Sequence, residues 1–339
     1  MIGFCVDANS NIGMGHLMRC FCIANELNKR KKDFFFVLSS DADDTFLKEH
    51  EYLYFRIKKF GKQGWNSEEI VECILKNDCK CLFIDTYRIE ENDILEIKKH
   101  TKVVYMDDLY EFDCPADIVI NHNIEATVEK YYPSKYTDRN LYVGVEYFPL
   151  REEFILETNK PLQKNVKEVL ITTGGTDPYH ISVKIMDILS VFYSEINFNI
   201  LIGVFYDEAY KKQIKNISIE RENVQVISWG QNMAKIYKNS DLVIAPGSTT
   251  IYEALSMGVP CISFEFVDNH HMQCIAMDEL NIVPFIDKLN NIDSIKEKRI
   301  KEIFAEELSF QVRKEQHDKC RRYFDKKGTK RIADILMED

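Results

Sequence analysis

The 339-residue sequence has no excess of positive charge and no long apolar run. Its net charge at pH 7 is −11 and no block rich in lysine and arginine occurs, so a nucleic-acid partner is not expected. No apolar run approaches the roughly 18 residues of a membrane helix, and no charged start leads into a short apolar segment of the signal-peptide kind. The composition predicts a soluble, unexported protein of the cytoplasm without membrane insertion.

No Cys-x-x-Cys pair occurs among the ten cysteines. Cys5, Cys81 and Cys261 fall in apolar, strand-like runs, which favours buried thiols. The Cys-x-Cys pairs at 20/22 and 79/81 direct their side chains apart, so neither makes a good chelate by itself. We expect reduced cysteines, as in cytoplasmic proteins, and no metal.

Two common nucleotide-binding patterns are also missing. The Gly-x-Gly of Gly13 and Gly15 does not continue into Gly-x-Gly-x-x-Gly, because position 18 is methionine, so NAD is not expected. The pattern Gly-x-x-x-x-Gly-Lys-Ser/Thr does not occur, so hydrolysis of a nucleoside triphosphate by a P-loop is not supported.

Short apolar runs alternate with helical patterns along the chain, and the length exceeds the about 150 residues typical of one domain. The first series has predicted strands at 3–7, 34–39, 52–57, 81–85, 103–107 and 117–121, and helices near 15–30, 67–77 and 90–99. The second has predicted strands at 168–173, 197–203, 224–228, 242–245 and 259–264. Such alternation indicates parallel sheets covered by helices. We predict an α/β protein of two doubly wound, Rossmann-like domains, 1–150 and 151–339, which face a cleft and are joined by a linker at 148–165.

The C-terminal stretch, about 291–339, is charged and helix-patterned. We expect it to be a solvated helical cover that extends the second domain, with one helix crossing back to the first domain.

The run from Ile12 to His16 follows the first predicted strand and opens the first predicted helix. In a doubly wound sheet this turn lies at the carboxyl ends of the strands, where ligands bind. Gly13 and Gly15 allow the backbone to approach a ligand closely. His16 is therefore a candidate general base, and the alternative from these residues alone is a capping or packing histidine.

Two loops of the second series are candidate phosphate sites. Thr173-Gly174-Gly175-Thr176-Asp177 and Pro246-Gly247-Ser248-Thr249-Thr250 each follow a predicted strand and lead into a helix. Small residues, hydroxyls and free N–H groups at such places suit an anion, although either loop alone is also ordinary turn and N-cap chemistry. Their occurrence together in one domain favours phosphate binding.

Glu253 follows the second loop, and we place it in the first turn of the helix that Ser248 to Thr250 would open. Its carboxylate could accept hydrogen bonds from the two hydroxyls of a ribose, which would make the ligand a nucleoside diphosphate. The alternative is an acidic residue that complements the helix dipole.

Several motifs resemble those of the UDP-sugar hydrolases of pseudaminic acid biosynthesis and their spore-coat polysaccharide relatives. They are residues 12–19 (IGMGHLMR), 84–88 (IDTYR), 107–108 (DD), 151–154 (REEF), 174–177 (GGTD) and 258–261 (GVPC), with Glu253 before the last. The match runs in order from about residue 1 to 285. It implies a GT-B fold, UDP held mainly by the second domain, and no metal or redox cofactor.

The resemblance also implies roles for single residues. His16 matches the histidine that activates the water attacking C1 of the sugar, and Tyr87 and Asn269 match sugar-site contacts. The matching UDP contacts are the ribose ligand Glu253, the diphosphate contacts Gly175, Ser248 and Thr249, and the backbone near Ile227 at the uracil. Tyr87 could instead cap a strand, and Asn269 could be turn chemistry.

Two features depart from the family's pattern. His270 and His271 replace the glutamine-like continuation expected after Asn269, and about fifty residues extend beyond the end of shorter members. Neighbouring histidines point apart on a strand or helix, so this pair beside Asp268 does not indicate a metal.

The sequence thus predicts an enzyme that hydrolyses a UDP-linked 2,4-diacetamido-2,4,6-trideoxy hexose to the free sugar and UDP. One rival is a glycosyltransferase with the same donor site. The other is a noncatalytic sugar-nucleotide binding protein, against which the joint presence of His16, Glu253 and Asn269 argues.

Overall fold

The structure is a computed structural model that describes residues 1–7, 15–57, 65–228, 230, 232–267 and 270–338. It divides into two compact units. The first contains Met1–Arg151 and Lys326–Asp339, and the second contains Glu152–Asp325.

The first unit is built on a parallel sheet. Its strands are β1 (Ile2–Val6), β2 (Phe34–Leu38), β3 (Tyr54–Arg56), β4 (Cys81–Asp85), β5 (Lys102–Met106), β6 (Ile118–Asn121) and β7 (Asn140–Val143), and its helices begin with α1 (Gly15–Lys29), α2 (Thr45–Glu49), α3 (Ser67–Lys76) and α4 (Glu91–Lys98). The order across the described sheet is β3-β2-β1-β4-β5-β6-β7. β1 and β4 consist of buried residues throughout, as expected for strands covered on both faces.

The second unit repeats this design. Its strands are β8 (Glu168–Ile171), β9 (Asn197–Ile202), β10 (Val224–Ser228), β11 (Leu242–Pro246), β12 (Cys261–Glu265) and β13 (Phe285–Lys288), and its helices are α5 (Glu152–Leu156), α6 (Ile181–Ser190), α7 (Glu208–Glu220), α8 (Met233–Asn239), α9 (Thr249–Ser256), α10 (His271–Glu279), α11 (Ser294–Glu307) and α12 (Phe310–Cys320). The strand order in the described part is β10-β9-β8-β11-β12-β13. The predicted pair of doubly wound α/β domains is confirmed.

The C-terminal helix α13 (Gly328–Met337) belongs to the first unit, although the sequence analysis assigned residues up to 339 to the second domain. Its apolar face supplies Ile332, Ile335 and Leu336 to a core that also contains Leu17 and Ile23 of α1. Burial of this face explains the placement, because a helix with such a stripe is stabilised by packing.

The strand order fixes where a ligand can bind. In each unit the order reverses between the first and fourth strands, which pair in register with Val6 opposite Asp85 in the first unit and Ile171 opposite Ile244 in the second. Ligands of open α/β sheets bind outside the carboxyl ends of the strands at such a point.

Among the described residues, every helix is too short or too polar to span a membrane.

Candidate active site

His16 lies at the start of α1, beside the carboxyl end of β4. Its Nδ1 is 2.6 Å from Oδ1 of Asp85, the last residue of β4, and both side chains are almost fully buried. The charge on Arg19 and on His16 outweighs the opposing effect of burial and lowers the pKa of Asp85 to about 2. An ionised carboxylate only accepts hydrogen bonds, so Nδ1 of His16 carries the proton and donates it. Nε2 is then the basic nitrogen, and it has no hydrogen bond within the described part of the chain.

Arg19, one turn further along α1, holds Asp85 in place. Its Nε donates to Asp85 Oδ2 at 3.0 Å and its Nη2 donates to Asp85 Oδ1 at 2.7 Å. Nη2 also lies 2.8 Å from Nδ1 of His16, but this nitrogen already carries a proton, so the pair is a close contact rather than a hydrogen bond. The bidentate pairing fixes the plane of the carboxylate that orients His16.

Tyr87 follows β4 and stands next to His16. The two rings meet edge to face with centroids 4.5 Å apart, and the Tyr87 hydroxyl donates to Oδ2 of Asp108 at 3.1 Å. Burial, together with the Asp108 charge, raises the pKa of Tyr87, so the phenol stays protonated.

Asp108 and His122 complete the cluster from the ends of β5 and β6. Arg19 Nη1 donates to Asp108 Oδ2 at 2.8 Å and lies 2.8 Å from Nε2 of His122. Burial and the Arg19 charge lower the pKa of His122 to about 4, so this ring is neutral near pH 7 and can accept from the guanidinium. The Arg19 charge also lowers the pKa of Asp108, against the effect of burial.

A separate network ties neighbouring strand ends together. Asp7, buried after β1, accepts from Nε of Arg88 at 3.0 Å and from the hydroxyl of Thr86. Arg88 also donates to Ser39 at the end of β2 and to Asp41. The network fixes the point at which the chain leaves β1 on its way to His16.

Of the two glycines predicted before His16, Gly15 is the first residue of α1 and is exposed, with open space where a Cβ would lie. It therefore leaves room beside His16, as the close approach of a ligand requires. Gly13 lies outside the described residues.

In the second unit, both predicted phosphate loops lie at the strand ends flanking the reversal in strand order. Gly174 has φ +79°, and a Cβ there would be 3.6 Å from the Thr250 hydroxyl, so the loop after β8 adjoins the start of α9. A Cβ on Gly203, after β9, would meet the carbonyl oxygens of Gly174 and Gly175 at 2.4 and 2.5 Å. The geometry brings three strand ends together around Gly175.

Ser248 is the N-cap of α9, and its hydroxyl accepts from the N–H of Thr250 at 3.3 Å. The Ser248 hydroxyl is occupied by this capping bond. Thr249 is the first residue of the helix, so its N–H has no partner within the helix. Such a helix start attracts phosphate.

The position predicted for Glu253 in the helix was wrong. Glu253 is the fifth residue of α9, and no acidic residue occupies the first turn. The helix dipole acts on charges in the first turn, so complementing the dipole does not explain a glutamate at position 253. Glu253 shares a helix face with Thr249, four residues earlier, and is half-buried.

The remaining predicted residues of the second unit cap a helix, lie in a strand or lie outside the described residues. Asp177 of the GGTD motif accepts from the N–H groups of Ile181 and Ser182 and from the Tyr210 hydroxyl, so it acts as a structural cap of α6. Ile227 is the penultimate residue of β10 and is partly buried. Asn269 and Asp268 lie outside the described residues.

His271, which follows them, is the first residue of α10, and its Nδ1 lies 2.8 Å from the buried carboxylate of Glu265. Within the described ranges, no group of three or more histidine, cysteine, aspartate or glutamate side chains is arranged to hold a metal ion.

No role was predicted for the partners of His16. Asp85, Arg19 and Asp108 stood within quoted motifs, and His122 was not noted at all. A usable signal was present, because polar residues end or directly follow four buried strand runs, those of β1, β4, β5 and β6: Asp7, Asp85, Asp107 and Asn121. In a parallel sheet these ends lie along one edge.

Several proteins are similar in sequence to large parts of this chain. It is 28% identical over 287 residues to an uncharacterized protein of Methanocaldococcus jannaschii, covering 77% of this chain and 54% of that protein. It is 24% identical over 258 residues to the UDP-2,4-diacetamido-2,4,6-trideoxy-beta-L-altropyranose hydrolase of Campylobacter jejuni subsp. jejuni, covering 74% and 85%. It is 23% identical over 272 residues to the spore coat polysaccharide biosynthesis protein SpsG of Bacillus subtilis, covering 79% and 78%. The chain thus spans about half the length of the first of these relatives.

Solved structures share the fold. MurG of Acinetobacter baumannii superposes with a TM-score of 0.71 at 13% identity, over 99% of this chain and 98% of that chain. Anabaena HepE in complex with UDP and glucose superposes with a TM-score of 0.59 at 14% identity, over 100% and 99%. These likenesses establish the GT-B fold class, two Rossmann-like domains in one chain.

A family model gives the firmest relationship. Residues 157–336, just over half of the chain, match the glycosyltransferase family 28 C-terminal domain. This stretch contains both candidate phosphate loops and Glu253. The chain therefore belongs to the glycosyltransferase family 28 C-terminal domain family.

Proposed function

We propose that this protein hydrolyses a UDP-linked sugar to the free sugar and UDP, with His16 as the general base. The observation that carries the proposal is the contact of His16 Nδ1 with the ionised Asp85, 2.6 Å away, which leaves Nε2 as the basic nitrogen at the carboxyl edge of the first sheet. The same division of labour, a carboxylate that orients an imidazole, serves many hydrolases.

The proposed reaction is a displacement at C1 of the sugar. Water gives one proton to His16 Nε2 while its oxygen forms a bond to C1. The bond between C1 and the phosphate oxygen breaks, and its electron pair leaves with UDP. The N–H groups at the start of α9 and in the loop of Gly174 and Gly175 would stabilise the departing diphosphate.

The other predicted contacts keep their roles within this proposal. Glu253 would accept from the ribose hydroxyls, and its shared helix face with Thr249 suits a ligand with phosphate and ribose in sequence. Tyr87 would contact the sugar beside His16. Gly13, Asn269 and the backbone near Ile227 remain proposed contacts of the ligand.

For the sugar, we propose a 2,4-diacetamido-2,4,6-trideoxy hexose, used in the biosynthesis of a nonulosonic acid or a surface polysaccharide. The support is the similarity to the Campylobacter hydrolase and to the Bacillus spore-coat protein, each over more than 70% of this chain.

We place the reaction in the cytoplasm, because the ten cysteines are free thiols, which persist in a reducing compartment.

A second candidate is a glycosyltransferase, which the match to a glycosyltransferase family favours. The donor site would be the same, and His16 would take its proton from an acceptor hydroxyl instead of from water. Only this candidate requires an acceptor for turnover.

The test is to incubate the purified protein with a panel of UDP-amino sugars, without metal or acceptor, and to follow UDP and free sugar by NMR. Hydrolysis predicts equal release of both by the wild type. His16→Ala should release neither and should bind UDP, measured by calorimetry, with nearly unchanged affinity. UDP binding without release would support the transferase, and a large loss of UDP affinity in His16→Ala would contradict the division of roles.

A further inference from the structure

Arg19 contacts two carboxylates of the site, Asp85 and Asp108. It lies on α1 three residues after His16, so both side chains share one helix face. The guanidinium is almost fully buried and uses its two edges on different partners. One edge grips Asp85 through Nε and Nη2, at 3.0 and 2.7 Å, and the other reaches Asp108 through Nη1 at 2.8 Å.

Each carboxylate that Arg19 holds orients one group of the proposed active site. Asp85 Oδ1 accepts from His16 Nδ1, and Asp108 Oδ2 accepts from the Tyr87 hydroxyl. The His16 and Tyr87 rings touch edge to face. A rotation of either carboxylate would therefore move a group that faces the sugar.

We propose that Arg19 is the positioning residue of this site, which fixes the Nδ1–H tautomer of His16 and the orientation of the Tyr87 hydroxyl at once by holding Asp85 and Asp108 with a single guanidinium. The inference deepens the proposed function and rests on it for the effect on turnover. Its effect on the tautomer can be measured without substrate.

The geometry requires arginine rather than any cation. A planar guanidinium presents donors along two edges in a fixed arrangement, whereas a lysine ammonium is a single point of charge. Lysine at this position could pair with one carboxylate, but it would not hold the plane of Asp85. The neutral His122 adds a further acceptor on the Nη1 side, 2.8 Å away.

The rival explanation is that Arg19 only stabilises the fold by neutralising buried carboxylates. Arg139 offers a matched control for that explanation. It is equally buried in the same unit, where it pairs with Asp113 at 3.0 Å and donates to the carbonyl of Cys114, and no contact with His16 is among the described ones.

The experiment compares Arg19→Lys with Arg139→Lys. Long-range proton–nitrogen NMR spectra report the tautomer of each histidine, and His16→Gln identifies the His16 signals among the eight histidines. We expect the Nδ1–H tautomer for His16 in the wild type and in Arg139→Lys, and a mixture in Arg19→Lys. Turnover of the UDP-sugar should fall about 100-fold in kcat with little change in KM for Arg19→Lys only.

Each outcome decides the inference. An unchanged His16 tautomer in Arg19→Lys would overturn it, as would an equal loss of kcat in the two variants. If the wild type releases no UDP while the tautomer of Arg19→Lys shifts, the proposed function fails and the positioning role stands.

If Arg19→Lys does not fold, Asp108→Asn is the second test, because this variant removes one of the two carboxylates that hold the guanidinium. Asp108→Asn should lower kcat and alter the Tyr87 ring resonances. Full activity with unchanged resonances would refute the inference.

Discussion

The ionisation of Asp85 decides how the candidate base works. Burial alone would raise the pKa of this carboxyl, but the charges on Arg19 and His16 bring it down to about 2. The stabilisation that the ionised form contributes is therefore present above its ordinary pKa near 3.8 and is lost as the pH falls through about 2. Asp85 stays ionised throughout the neutral range, and a pH–rate profile above pH 4 should not contain its titration.

Asp85→Asn should leave the fold intact and remove most of the activity. Arg19 donates to both oxygens of Asp85, so the amide NH₂ would face an Arg19 donor in either orientation, and the negative charge that orients His16 and stabilises its protonated ring would be lost. We expect kcat to fall by about 10³- to 10⁴-fold, as for the equivalent change in a catalytic triad. The measurement is UDP release under saturating substrate.

The control for Asp85→Asn is Asp113→Asn, which breaks the ion pair with Arg139 in the same unit. It should retain nearly full turnover. A loss of less than about tenfold in Asp85→Asn would show that Asp85 does not orient the base.

Glu253→Gln tests the assignment of the ribose. A carboxylate that accepts from ribose hydroxyls contributes a charged hydrogen bond, so the variant should bind UDP about tenfold more weakly. Calorimetry with 2′-deoxy-UDP provides the control, because this ligand lacks one of the hydroxyls. The wild type should discriminate against 2′-deoxy-UDP and Glu253→Gln should not. Equal weakening of both ligands in the variant would remove Glu253 from the ribose.

At the level of helices and strands, the central strands were predictable, whereas two of the four edge strands in the described sheets, β7 and β13, were not. β1 and β4 are continuous buried apolar runs, and the sequence located both to within one residue. β7 and β13 are partly exposed edge strands with polar residues, Asn140 in one and Asp287 with Lys288 in the other. Without a continuous apolar run or a clean alternation, neither gives a strand signal.

The candidate site likewise contains parts that a local sequence pattern predicts and parts that it does not. His16 and the two loops of the second unit were predictable because each is a local pattern of a strand, a glycine-containing turn and a helix. Asp85 and Asp108 are 69 and 92 positions from His16 along the chain. Only the order of β1, β4, β5 and β6 brings them to it. A sequence read segment by segment does not specify that order.

Glu307, the last residue of α11, is a buried acid that should make the stability of the protein depend on pH. Glu307 accepts from Gln316 at 2.5 Å, and its second oxygen has no hydrogen-bond partner among the described residues. Burial raises its pKa from the usual 4.5 to about 7, although Gln316 and Arg313 favour the charged form. The folded state therefore binds a proton that the unfolded state has already lost between these pH values, so stability falls as the pH rises from about 4.5 to about 7.

Glu307→Gln should remove this dependence, because glutamine keeps the acceptor for Gln316 and carries no charge. The shift of pKa corresponds to about 3 kcal/mol, so the variant should be more stable than the wild type by up to that amount at pH 8 and nearly equal at pH 4.5. Native-state hydrogen exchange in α11 and α12 measures the difference. Glu306→Gln, an exposed neighbour, is the control, and a gain independent of pH would contradict the explanation.

At the scale of the whole molecule, the chain returns to its first unit in α13. The C-terminal helix α13 completes the core under α1, so the first unit is discontinuous in sequence. The composition of residues 291–339 suggested a charged cover with one helix crossing back to the first domain, but it did not identify that helix, because polar residues in this stretch outnumber the positions that α13 buries. The apolar stripe of a single helix does not say which sheet it covers.

Ile332→Ala tests this arrangement. Ile332 is fully buried in α13, so its truncation should lower the stability of the first unit by about 2–5 kcal/mol. Lys330→Ala, on the exposed side of the same helix, should change it by less than about 0.5 kcal/mol. Hydrogen exchange of the amides in α1 and β1 reports the stability of that unit, and equal effects of both substitutions would show that α13 is not part of its core.

The most direct test of water attack at C1 is to run the reaction in ¹⁸O-labelled water and to analyse UDP by mass spectrometry. Attack of water at C1, activated by His16, predicts that the label enters the sugar and that the released UDP contains none. Label in the β-phosphate of UDP would mean attack at phosphorus, and release only in the presence of an acceptor would mean transfer; either result contradicts hydrolysis at C1.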